Sequence, residues 1–119
     1  MIPKPVTIQL AIFNGDNQPR RMVDWEAVPT QISGLYLTRP NVGYWKDQVL
    51  APAKTGWNVT HKSGWAITPQ NISSLSKAKK FLEALAQQNL NWDRPMDELQ
   101  TEYKVYASAV RKAWELTQV

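Results

Sequence analysis

Near residue 70 the apolar side chains change their spacing, and this change limits the fold more than any other feature of the chain. Upstream they alternate. In "VTIQLAIF", Val6, Ile8, Leu10 and Ile12 fall on one side and Thr7, Gln9, Ala11 and Phe13 on the other, the period-two pattern of a half-buried strand. Further strands are expected at about 21–28, at about 34–39 (where Pro40 forces Arg39 towards extended geometry), and in a hairpin at about 56–61 and 65–68. The dense turn formers of "NGDNQP" separate the first two. Downstream the period becomes helical. Leu75, Ala78, Leu82, Leu85 and Ala86 mark a helix over about 74–90, capped by Ser73 or Ser74. Leu99, Tyr103, Tyr106, Val110, Ala113 and Trp114 mark a second over about 96–117, with Asp93 as its cap and Pro95 in its first turn. Strands first and helices last predict an α+β fold: an antiparallel sheet of four or five strands with two C-terminal helices packed on one face.

The hairpin "GWNVTHKSGWAIT" fixes its own register. A two-residue turn at Ser63-Gly64 would mix polar and apolar groups on both faces. A three-residue loop, Lys62-Ser63-Gly64, ends on the residue type that tolerates a left-handed conformation and sets His61 opposite Trp65 and Val59 opposite Ile67. Trp57, Val59, His61, Trp65 and Ile67 then share one apolar face, with Asn58, Thr60, Ala66 and Thr68 on the other. Burial selects that register, and the indoles are expected in the core rather than bare for stacking.

At 119 residues the chain suits one domain, 1–119, since two would each be near the size where a core becomes marginal. An apolar share of 43% removes the composition of a disordered chain. The chain has no cysteine, so disulfides, thiolate metal sites and thiol nucleophiles are excluded, and a cytoplasmic location fits. No apolar run is long enough to span a bilayer, and no leader is apparent at the start. The lone histidine has no second histidine or cysteine to join it in a triad or zinc site. The two carboxylates of "DWE" share a strand face without being set across a substrate, and no phosphate loop, dinucleotide fingerprint or nucleophile elbow is present. The expectation is a non-enzymatic protein without cofactor or metal.

Charge is unevenly spread. Residues 48–82 hold five lysines and no acid, while the flanks together are slightly acidic. Lys54, Lys62, Lys77, Lys79 and Lys80 are therefore candidates to contact the phosphate backbone of a nucleic acid, with steep salt dependence and no arginine or asparagine motif for reading bases. A solvated surface is the plain alternative for the same lysines. The segment "RPNVGYWKDQVLAPAKTG" is long for a structureless connection, and it carries Tyr44 and Trp45. These two, with Tyr103 and Trp114 of the second helix, are candidates for a protein partner, a second copy of the chain included; packing inside the fold is the competing role.

The run "GWNVTHKSGWAIT", followed by "SLSKAKKFLEALAQQ" and "NWD", resembles uncharacterised short proteins of phages and other mobile elements, in which a W-x-V-T-H strand turns before a helix. The likeness covers about residues 56–93. It implies an accessory protein of a virus or plasmid, in the host cytoplasm if phage-encoded, and carries over no ligand or catalytic residue.

Overall fold

The computed structural model describes residues 4–13, 19–40, 52–68 and 70–117. The expected turn at 14–18 and the candidates Tyr44 and Trp45 lie outside the described residues. The fold is α+β. Strands β1 (Val6–Phe13), β2 (Pro19–Pro29), β3 (Leu35–Thr38) and β4 (Asn58–His61) form an antiparallel sheet in chain order, followed by helices α1 (Leu75–Ala86), α2 (Met96–Thr101) and α3 (Tyr103–Thr117). No helix among the described residues is long and apolar enough to cross a membrane.

The hairpin adopts the three-residue loop. His61 N–H donates to Trp65 O and Ile67 N–H to Val59 O, each at 2.8 Å, and Gly64 takes φ +95°. The returning segment is shorter than the expected strand at 65–68. Only Ala66 bridges to Thr60, after which the Thr68 hydroxyl takes over the ladder by accepting from Val59 N–H at 3.4 Å and donating to Asn58 Oδ1. A side chain thus occupies a backbone partner, and pairing resumes out of step where Trp57 and Ile72 exchange both backbone bonds.

Register divides the sheet into two faces. Leu35, Leu37, Val59 and His61 look towards the helices, and the first three join Ile72, Phe81, Leu82, Leu85, Trp92, Leu99 and Tyr106 in one core. The reverse face is more buried than its composition suggests. Ala27, Thr38 and Thr60 are almost wholly enclosed, with the two hydroxyls bonded to each other at 2.8 Å, and the Trp25 indole N–H donates to Arg39 O at 2.9 Å.

The helices depart from expectation in four places. On α1 the buried stripe is Ala78, Phe81, Leu82, Ala84 and Leu85, while Ala86 is exposed. The stripe is turned and widened because α1 packs against α3 as well as the sheet, with Phe81 meeting Trp114 edge-on at 6.0 Å. Ser74 is the N-cap, accepting from Lys77 N–H at 3.2 Å. α1 stops at Ala86, four residues before the expected end, and the chain leaves through Asn89 at φ +59°. The expected continuous helix over 96–117 is broken at Glu102 (φ −115°, ψ 32°). There the Thr101 hydroxyl donates to Glu98 O at 2.6 Å and the Glu102 carboxylate is drawn to Arg94. Asp93 caps nothing; Pro95 stands at the N-cap of α2 without a side-chain bond.

Phe81 is fully buried where the sheet, α1 and α3 meet. Phe81→Ala is expected to cost about 3–5 kcal/mol, read as the shift in midpoint of a urea melt at unchanged slope.

Candidate functional site

Three segments distant in sequence converge at the tip of β4. The His61 ring is completely buried, and its Nε2 lies 2.9 Å from Trp92 O. A carbonyl only accepts, so Nε2 carries the proton and Nδ1 is left with a lone pair. That lone pair accepts the Ser63 backbone N–H at 3.0 Å and the Ser63 hydroxyl at 2.8 Å. Burial lowers the imidazole pKa by more than the backbone contacts of Trp92 and Arg94 raise it, and the ring is neutral. Its lone pair is fully occupied by the turn that it closes, which makes it a fastening between hairpin and interhelical linker. Gly34 completes the junction. Its carbonyl accepts from Lys62 N–H, and at φ +91° it lies so close to the linker that a Cβ would come within 2.6 Å of Trp92 O.

The junction also consumes one of the five candidate lysines. Lys62 Nζ lies 2.6 Å from Asp93 Oδ1, and Ser33 donates to Asp93 Oδ2 at 3.0 Å. These two hydrogen bonds, Lys62 first, hold the Asp93 carboxyl below the usual range. The stretch that is free of acid along the chain is thus not free of acid in space. Lys77, Lys79 and Lys80 are exposed on α1 and form no ion pair among the described residues, but at about 100° per residue they fan around the helix instead of forming one row. Lys54 is exposed on the bend that precedes β4, apart from that helix in the chain order.

Beside the junction, between the returning arm of the hairpin and the α2–α3 pair, runs a groove of about 460 Å³. Trp65 and Ile67 form one wall, Met96, Tyr103 and Trp114 the other, and Trp92 lies at its base. Its surroundings are held firmly. Trp92 stacks edge-on against Tyr106 at 4.8 Å, the Tyr106 hydroxyl donates to Asn91 O at 2.7 Å, and Arg94 ties that hydroxyl and the Glu102 carboxylate together. The buried Trp92 Nε1–H has no partner among the described residues. Arg111 is the one charged residue among the described residues that line this groove.

Of the four candidates for a protein partner, the structure brings Tyr103 and Trp114 together here. Tyr103, expected in the buried stripe of its helix, is 68% exposed; Ala109 and Thr117 are buried in that helix instead. Trp57 and Trp65 are half-buried rather than fully enclosed. A second, more polar cavity of about 550 Å³ escaped sequence reasoning. It lies where Arg39, over the Trp57 ring at 3.7 Å, faces Asp24 and Glu26. The X-Pro step at Arg39 marked an extended backbone and carried no sign of where its guanidinium would go. Among the described residues no group of three or more His, Cys, Asp or Glu side chains is placed to hold a metal ion.

No protein-family model matches the chain, and no curated protein or solved structure matches it either.

Two outcomes are expected at the junction. Gly34→Ala forces a backbone collision in addition to roughly 1–3 kcal/mol of left-handed strain, and thermal melting should show it as more damaging than Gly56→Ala, where the added methyl meets only ordinary contacts. His61, with its folded pKa lowered, contributes its full stability above the ordinary value of about 6.5 and loses it as pH falls below that point, because only the unfolded chain then takes up the proton. Urea melts between about pH 8 and pH 5 should show this decline, and His61→Gln should flatten it. The loss tied to Asp93 belongs to more acid solution, below the ordinary carboxylate range.

Proposed function

We propose that the protein is an interaction module that receives an amphipathic segment of a protein partner, with one bulky apolar side chain seated between the hairpin and α3. The observation that carries this reading is Tyr103: a residue in apolar phase with its helix, yet two-thirds exposed on the lip of a groove whose walls are aromatic and aliphatic. Tyrosine and tryptophan at a concave, largely apolar site are the residue types that anchor interfaces. Arg111, the single charge among the described residues of the lining, favours an acidic residue beside the partner's anchor.

Selection from a displayed peptide library against the full chain tests the proposal. Binders should be enriched in Trp, Phe, Leu or Met next to Asp or Glu. Their affinity should fall at least tenfold with Tyr103→Ala and with Arg111→Glu, and stay unchanged with Lys80→Glu. A selection without binders, or binders indifferent to both groove substitutions, removes the reading.

The exposed lysines of α1 favour a second reading, contact with the phosphate backbone of DNA or RNA. It rests on Lys77, Lys79 and Lys80, since Lys62 is engaged by Asp93 and Lys54 stands on a separate bend. Labelled single- and double-stranded oligonucleotides should then bind in the micromolar range at low salt, and charge reversal at all three positions should abolish binding. Binding unaffected by salt or by that reversal excludes it.

A further inference from the structure

β1 and β2 form a ribbon that overhangs the rest of the sheet. β2 pairs with β3 only at Ala27, Val28 and Pro29, whereas it pairs with β1 from Ala27 back to Pro19. Thr7 to Phe13 and Pro19 to Glu26 therefore have only each other as ladder partners among the described residues. Of the β1 residues whose burial is described, none belongs to the core: Val6, Thr7 and Gln9 are exposed, and Ile8 and Leu10 are half-covered. Two-stranded ribbons without further cover are marginal in water.

The two open edges of this ribbon differ in composition. The edge of β2 begins at Pro19 and carries Arg20, Arg21, Asp24 and Glu26, the charges and proline that keep a free edge from pairing. The edge of β1, "VTIQLAIF", carries no charge and no proline, and its one irregularity, between Ile12 and Phe13, falls at its far end. Among the described residues, one edge is guarded and the other is open to another strand.

We infer that β1 pairs with β1 of a second copy of the chain, antiparallel about a two-fold axis, joining two sheets into one. The strand is complementary to itself. With Gln9 on the axis, Val6 comes opposite Ile12 and Ile8 opposite Leu10, so apolar residues meet apolar residues in that row, while Thr7 comes opposite Ala11 in the alternate row without a clash of charge. A charge at position 9 would meet its own copy on this axis, and β1 carries no charge there or elsewhere. Strand pairing alone is smaller than a standard stable interface, so dimerisation is concentration-dependent. The surface is distinct from the groove, and the inference stands apart from the function proposed above.

Sedimentation of the full chain over a wide concentration range tests this, with Thr7→Lys combined with Gln9→Lys as the disrupting variant. Each new lysine faces an acid of β2, Glu26 or Asp24, so the hairpin keeps its own pairing while the open edge becomes guarded. The wild type should move from monomer to dimer, and the variant should dissociate at least tenfold more readily with an unchanged melting temperature. The absence of cysteine allows an independent measurement. Gln9→Cys should oxidise to a disulfide-linked dimer, because antiparallel neighbours bring Cα atoms within disulfide reach, whereas Gln87→Cys at the exposed end of α1 should not. A wild type that stays monomeric at every concentration overturns the inference. So does a dimer that survives the paired lysines and gives no linkage through position 9.

Discussion

The imidazole of His61 ties the two halves of this molecule together. One nitrogen gives its proton to the carbonyl of Trp92 and the other closes the hairpin loop on Ser63, so sheet and helical half share a single buried ring. Everything beside it depends on that register. Trp92 reaches the base of the groove because its carbonyl is held, Lys62 meets Asp93 because the loop and the linker are brought level, and Gly34 lets the backbones approach closely enough for both. An unfastened pair of layers would still bury apolar area, but without a defined width between hairpin and helices.

Much of this architecture was readable in the chain. The alternation of Val59, His61, Trp65 and Ile67 admitted one burial-consistent register, and Gly64 supplied the backbone conformation which that register requires. The order of periods predicted the order of layers. Two of the failures share one physical cause, namely contacts made between segments far apart along the chain. Asp93 reaches Lys62 across 31 residues, and no window of sequence could subtract that acid from the basic stretch. Phe81 was not among the residues that the helical spacing marked, and it is fully buried where α3 supplies Trp114. The break at Glu102, whose carboxylate pairs with Arg94 outside the helix, interrupts a strong apolar period that gave no sign of it.

Tyr103 shows how such a break bears on function. Its spacing is that of a core residue, yet it stands directly after Glu102, at the start of α3, and is found exposed beside a cleft. An interaction surface built this way is hidden from periodicity, since its residues obey the pattern of burial while a local departure from helicity withholds it. The buried indole N–H of Trp92, without a partner among the described residues, belongs to the same region. A buried donor left unpaired costs stability that an aliphatic side chain would not.

The meander itself has a kinetic consequence. Each strand neighbours the one before it in the chain, so β1, β2 and β3 can assemble by short loop closures, which are fast compared with distant pairings, while β4 joins across the longer connection from 39 to 57. The helical half is joined through bonds that span as much chain or more, among them the one from His61 to Trp92, 31 residues on. Folding is accordingly expected to divide into rapid zippering of neighbouring strands and a slower docking of the helices, with the capture of one carbonyl by one imidazole marking the passage from the first event to the second.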